Sequence, residues 1–347
     1  VDEFDVTVSQ LLDPATAVQV EALRSRVEAR DGHDPFSEHK RRLLGRSSGG
    51  WPPDGVSNAD PGADPDANPD ADGFVAVVAW VPGDDRPVGY AQLNPGGPDG
   101  SLALELMVSP DHRDPDLTVA DALLGAALRA AGDSDGPVPT VRYWSHHAAP
   151  EDDRLAAAHG LRVERELIQM RRPLPVGGDR SDISVRGFIP GLDEQGWLEV
   201  NNRAFASHPE QGGWDLGTLL EQERQPWFDP EGLRVHEEDG RLAASCWTKV
   251  HTDTSPVLGE IYVLSVDPEF RGRGLGRAMT LAGLDWLAGA GIRVGMLYVD
   301  SANRAAVSLY RSVGFTDHHV DRAYLGTAER APAASPGEAA RRRPPGP

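Results

Sequence analysis

Apolar positions over residues 14–31 recur at helical spacing. Val18, Val20, Leu23 and Val27 share one broad side behind Pro14, which predicts a helix starting at that proline. Residues 35–44 predict a second helix. From residue 74 the pattern changes to short apolar runs, FVAVVAWV (74–81), VGYAQLNP (88–95) and LALELMVS (102–109), which predict three successive strands. A helix over 117–131, a strand over 138–145, a helix over 151–159 and a strand over 162–173 follow. After the Pro/Gly-rich PVGGDRSD (175–182) the order returns. A strand at 183–188 precedes helices at 192–206 and 215–223. Strands follow at 233–238, 241–250 and 260–266, then a helix at 275–289, a strand at 293–300, a helix at 303–312 and a strand at 315–325.

The two halves align on fixed anchors. Arg113 matches Arg271, Trp144 matches Tyr298, and Gly160-Leu161 matches Gly314-Phe315, which indicates an internal duplication. The predicted class is α/β in the α+β sense. Each half is a mixed, mostly antiparallel sheet flanked by helices, with a meander joined through a crossover helix to a parallel strand. The expected units are residues 1–175 and 182–327, with a disordered tail over 328–347. Residues 47–73 hold six Asp, no Lys or Arg, and many Pro and Gly. Such a segment cannot bury a core, so a disordered insertion is expected within the first unit.

Composition narrows the function. The chain has 347 residues and a formal charge of −20. Bulk charge therefore argues against nucleic acid or an anionic membrane as a partner. No apolar run reaches membrane-spanning length, and VDEFDVTVSQ lacks the order of a signal peptide, so a cytoplasmic protein is expected. The single cysteine, Cys246, excludes an internal disulfide and reads as a small core residue. Neither His146-His147 nor His318-His319 is a natural chelate, because strand neighbours point to opposite faces, and no metal is expected. Only Lys40 and Lys249 are lysines, which makes each conspicuous.

The chemistry concentrates in the second half. Arg271-Gly272-Arg273-Gly274-Leu275-Gly276-Arg277 lies between a predicted strand and a predicted helix. A helix N-terminus offers free N–H groups and partial positive charge to a pyrophosphate, and glycines let the backbone approach it. The matching first-half stretch, SPDHRDPDLT (109–118), carries Asp114 and Asp116, which would repel an anion. In the later stretch AAPEDDRLAAAHG (148–160) nothing matches Asn303 or Tyr310. The first half is expected to be noncatalytic and to bind a phosphorylated cofactor weakly or not at all, although Leu106-Met107-Val108 retain strand backbone.

An R-x-x-G-x-G loop between strand and helix resembles the acetyl-CoA signature of the GNAT superfamily of N-acetyltransferases, and YVDSANRAAVSLYRSVGF (298–315) resembles its closing motif. More narrowly, ELIQMRRPL (166–174), NNRAFASHPEQGGW (201–214), PWFDPEGL (226–233), WTKVH (247–251) and GEIYVLSVDP (259–268) resemble the mycothiol synthase family of tandem GNAT enzymes. The resemblance implies acetyl transfer from acetyl-CoA, as co-substrate, to the cysteinyl amine of a thiol-bearing glucosaminyl-inositol pseudodisaccharide. It implies Glu260 as general base or substrate contact and Tyr310 as the acid that protonates the departing thiolate. Glu38, Glu210, Lys249 and Tyr298, with Glu260, become acceptor contacts. The backbone of Leu264, Ser265 and Val266, the 271–277 loop, and Asn303, Arg304, Ala305, Ala306, Val307 and Ser308 become cofactor contacts. A monomer is expected. Two alternatives stay open at this point. One is an N-acetyltransferase for another small amine, such as an aminoglycoside. The other is a noncatalytic acyl-CoA-binding protein.

Overall fold

The computed structural model describes residues 4–37, 40–41, 44, 74–95, 100–133, 137–178, 181–206, 212–252 and 254–330. The expected insertion at 47–73, the tail beyond 330, residues 38–39 and 42–43 of the helix expected at 35–44, and the candidate contacts Glu38 and Glu210 lie outside the described residues. The first half contributes strands β1 (Asp5–Ser9), β2 (Val75–Trp80), β3 (Pro87–Pro95), β4 (Leu102–Val108), β5 (Thr140–Ser145) and β6 (Arg162–Pro173). Its helices are α1 (Pro14–Asp31), α2 (Thr118–Gly132) and α3 (Pro150–Ala158). The second half contributes β7 (Arg186–Gly187), β8 (Leu233–Glu238), β9 (Arg241–His251), β10 (Leu258–Val266), β11 (Val294–Asp300) and β12 (Thr316–Thr327). Its helices are α4 (Glu194–Ala204), α5 (Leu216–Glu223), α6 (Leu275–Gly289) and α7 (Arg304–Ser312).

Local chemistry accounts for the helix ends. Asp13 accepts from the N–H groups of Ala15 and Thr16 and caps α1, which closes on Gly32 at φ 76°, a left-handed position that suits glycine. Asn303 caps α7 by accepting from Ala306 N–H. Gly160 and Gly314, anchors of the duplication, both have positive φ, 71° and 86°. Each lies just beyond the end of its helix, α3 or α7. Two differences from the expected elements stand out. β1 was not anticipated from the sequence: it is a short edge strand, mostly exposed and paired only with β2, so it lacks a strong apolar alternation. The strand expected at 183–188 is reduced to Arg186–Gly187.

All twelve strands form one sheet in the order β1-β2-β3-β4-β5-β12-β6-β11-β10-β9-β8-β7. Its centre is a reciprocal exchange. The last strand of the first half, β6, pairs with β11 of the second half. The last strand of the second half, β12, pairs with β5 of the first. The two exchanged strands pair antiparallel with each other. Each core is thereby completed by the other half. Tyr324 of β12 joins the first-half core around Leu123, Leu128 and Tyr143. Ile168 and Met170 of β6 join the second-half core around Met279, Leu284 and Leu297. Met170 and Tyr324 are at most 1% exposed. Burying such a side chain contributes roughly 1.5–3 kcal/mol, so the exchange couples the halves energetically.

Candidate active site

The site is built where two parallel strands part. β10 and β11 pair only over Leu258–Val294, Gly259–Gly295 and Glu260–Met296, although β10 continues to Val266 and β11 to Asp300. Past Glu260, the β11-facing edge of β10 has no strand partner among the described residues. Buried backbone groups must be paired, so this open edge suits a ligand that can itself hydrogen-bond. Leu264 and Val266 are half-buried, whereas Ser265 is enclosed. The Ser265 hydroxyl is engaged by Ser245 at 2.7 Å. What Ser265 offers a ligand is therefore its backbone.

The wedge leads directly to the glycine loop. Gly272 and Gly274 have φ of 80° and 81° and, where a Cβ would project, nothing lies within 4 Å. Gly274 is the N-cap of α6. The first turn of that helix thus presents free N–H groups to an open, exposed surface, an arrangement that fits a pyrophosphate. Arg271 and Arg273 are exposed. Arg271 donates to Ala204 O at 3.1 Å, and Arg273 pairs with Glu238 at 2.8 Å. Gly276 holds α6 close to α7, its Cβ position being 3.3 Å from Leu309, while Arg277 is half-buried on the same first turn. On α7, Val307 is buried, Ala306 is half-buried, and Asn303, Arg304, Ala305 and Ser308 are exposed. The structure thus packs the first turn of α6 against the middle of α7.

Glu260 stands at the vertex of the wedge, 8% exposed. It lies opposite Lys249 on β9 and Met296 on β11. Opposed residues share a face, and so do residues two apart on one strand. Lys249, Glu260 and Tyr298 therefore project from one face. The Lys249 ammonium lies 4.9 Å from the ring of Trp227 and 5.8 Å from that of Tyr262, within cation–π range. The Tyr298 ring is 40% exposed, and its hydroxyl accepts from Gln169 Nε2 at 2.7 Å. Burial, then the Asp321 and Glu260 carboxylates, push its ionisation up, so the hydroxyl stays neutral.

Tyr310 is only 7% exposed and meets Phe315 edge-on at 6.0 Å. Burial, with a contribution from Cys246, pushes its phenol up, and it remains protonated at neutral pH. Cys246 pairs with Leu264 across β9 and β10, which places the phenol beside the wedge stretch of β10. The Cys246 thiol is itself fully buried and pushed up to about 12 by burial. It is a core residue with no thiolate character.

Sequence reasoning committed to no role for several residues around this site. His251 Nε2 lies 2.8 Å from Glu260 Oε2. Gln169 reaches Tyr298 from exchanged β6. His319 of exchanged β12 meets the Tyr298 ring at 6.1 Å and stacks on His147, which stacks on His33, at centroid distances of 3.5 and 3.6 Å. Beneath this ladder, Asp321 accepts from His147 N–H at 3.0 Å and lies 3.3 Å from His146 Nδ1. Burial opposes charge on His146, yet Asp321 and Glu105 outweigh it and raise the imidazole to about 10. The string ELIQMRRPL carried the only signal for Gln169. Nothing local announces the ladder, because His33 and His147 are far apart in the sequence and His319 joins them through the exchange.

The first half keeps the same wedge but fills its anion site. β4 and β5 pair only from Leu102–Val141 to Glu105–Trp144. Beyond them lies a cavity of about 740 Å3 lined by Leu106, Met107, Val108, Arg113 and Asp114 among others. Asp114 accepts from the N–H groups of Asp116 (2.9 Å) and Thr118 (3.2 Å), at the start of α2. Arg113 is held by Asp31 at 2.6 and 2.9 Å and donates to Val108 O at 3.2 Å.

The described residues contain no helix long and apolar enough to cross a membrane. The profile of the acetyltransferase (GNAT) family matches residues 197–315. Among solved structures, a GCN5-related N-acetyltransferase from Sphaerobacter thermophilus aligns with a TM-score of 0.65 at 21% identity, covering 94% of this chain and 96% of that one. A tandem GNAT protein from the clavulanic acid biosynthesis pathway aligns with a TM-score of 0.62 at 18% identity, covering 95% and 100%. At such identities these matches speak to fold. Curated relatives are much nearer in sequence. The mycothiol acetyltransferase of Acidimicrobium ferrooxidans is 41% identical over 320 residues, 90% of this chain and 94% of that protein. That of Kocuria rhizophila is 41% identical over 316 residues, 87% and 93%. With a tandem GNAT fold and this identity over nearly the whole length of both chains, the protein belongs to the mycothiol acetyltransferase family.

Proposed function

We propose that this chain transfers the acetyl group of acetyl-CoA to the cysteinyl amine of desacetylmycothiol, giving mycothiol and CoA. The observation that carries the reading is the parted β10/β11 pair. A buried carboxylate stands at its vertex, and an open glycine loop at a helix N-terminus lies at its mouth. A binding protein would need the loop and the wedge but no acid and base beside them. Identity with mycothiol acetyltransferases along the chain favours this acceptor over an aminoglycoside.

In this reading the α6 N-terminus, Arg271 and Arg273 hold the pyrophosphate, and the free edge of Leu264–Val266 receives the pantetheine amides. Asn303 to Ser308 flank the same cofactor. Glu260 takes the proton from the attacking amine, which titrates near pH 8 when free and so needs modest help. As the nitrogen–carbon bond forms and the carbon–sulfur bond breaks, backbone N–H groups on the wedge edge steady the carbonyl oxygen. Tyr310 gives its proton to the departing thiolate. Lys249 and Tyr298 contact the acceptor, and the family resemblance adds Glu38 and Glu210 as acceptor contacts. The first half acts as a noncatalytic wall with no acetyl-CoA of its own, and the unit of activity is a single chain.

The test supplies acetyl-CoA with desacetylmycothiol and follows CoA thiol release and product mass. Turnover with that acceptor supports the reading. Turnover only with an unrelated amine, or cofactor binding without turnover on any amine, overturns it.

A further inference from the structure

Glu260 has a partner that its role as base does not explain. His251 ends β9 two residues beyond Lys249, and Lys249 lies directly opposite Glu260. His251 is thus the diagonal neighbour of Glu260 on the same face, a separation that long side chains span. The two meet at 2.8 Å between His251 Nε2 and Glu260 Oε2. The carboxylate side chain is 11% exposed and the imidazole 21%. The backbone of His251 is tied in turn, its carbonyl accepting from Thr254 Oγ1 at 3.0 Å. A carboxylate with one oxygen held by a ring N–H has its second oxygen left for another proton. A base must sit within hydrogen-bond reach of the proton it takes, and a glutamate has three side-chain torsions to restrain.

We propose that His251 is a positioning residue for acetyl transfer. It donates from Nε2 to Glu260 Oε2 and thereby turns Oε1 toward the acceptor amine. The inference rests on the reading of Glu260 as general base. It requires a donor at position 251, and no charge there. The imidazole exchanges no proton with the substrate.

The experiment compares the full-length wild type with His251→Ala and His251→Gln, using acetyl-CoA and desacetylmycothiol. For His251→Ala, kcat is expected to fall by up to about 10²-fold, the scale of a misplaced catalytic group. Both KM values and acetyl-CoA affinity should stay within about twofold, with the thermal midpoint showing that the variant is folded. His251→Gln, which keeps an N–H donor, is expected to recover most of kcat. Loss confined to KM, an unaffected kcat in His251→Ala, or a Gln variant as slow as the Ala variant each overturns the positioning role alone. An unfolded Ala variant leaves the decision to the Gln variant against His251→Leu, which matches its bulk without a donor. A wild type inactive on this acceptor overturns both this inference and the reading beneath it.

Discussion

The carboxylate of Asp114 occupies the N-terminus of α2, accepting from the backbone N–H of Thr118 at 3.2 Å and from its hydroxyl at 3.0 Å. The matching place before α6 holds Gly272 and Gly274, with open space where their side chains would be. One half therefore leaves its helix N-terminus open, and the other fills it with a carboxylate. Titration calorimetry should find one acetyl-CoA per chain. Asp114→Ala should cost on the order of 1 kcal/mol in stability through the lost hydrogen bonds from Thr118. A second tight equivalent in the wild type would refute the assignment.

Gly274 carries φ 81° in the loop before α6. A side chain there meets backbone strain of about 1–2 kcal/mol and projects into the space proposed for the pyrophosphate. Gly274→Val should raise KM for acetyl-CoA by about tenfold or more and leave the KM of the acceptor nearly unchanged. Steady-state kinetics with each substrate varied in turn checks this.

Tyr310 is buried against Phe315 and keeps its proton. Tyr310→Phe preserves the packing and removes the proton. Its kcat should fall by roughly 10²-fold, the scale of general acid catalysis, with stability nearly unchanged. A kcat equal to wild type would return Tyr310 to a packing role.

The β6/β12 exchange makes the halves depend on each other. Met170→Ala should cost about 2–5 kcal/mol as a core truncation. Because Met170 is a first-half residue in the second-half core, the loss should lower the unfolding midpoint of the whole chain. Calorimetry should show one cooperative transition for the chain, and a fragment ending at residue 175 should fail to fold alone.

The imidazole ladder makes stability depend on pH in both directions. Burial, then His319 and His33, lower His147 to about 3. The native state thus binds fewer protons than the unfolded chain between that value and about 6.5, and stability falls as pH drops through this window. His146, raised to about 10, binds more protons in the native state above 6.5, so its contribution falls as pH rises toward 10. The thermal midpoint should peak near pH 6.5. His147→Asn should flatten the acid side, since asparagine tolerates the positive φ of 53° found there. His146→Gln should flatten the alkaline side.

Much of this is legible in the sequence. The apolar runs placed α1, β4, β6, α6 and β11 within a residue or two, because period and end signals are local properties. The glycines of 272–276 marked a helix N-terminus open to an anion, and Asp114 marked its loss, because each is chemistry at a single turn. β1 was missed because a short, exposed edge strand carries little apolar pattern.

The chain alone thus determined most of its elements, its duplication and the residue types of its loop. Only tertiary structure decided which strand each half would keep. β6 and β12 are equally apolar candidates for either sheet, and nothing local distinguishes the two pairings. The exchange then set what no spacing records: Gln169 beside Tyr298, and His319 stacked on His147 across the seam. The bond from His251 to Glu260 has a related origin, since it exists through the register of β9 on β10. Registers and exchanges are settled by burying a whole sheet face at once, and that is a property of the assembled core rather than of any segment.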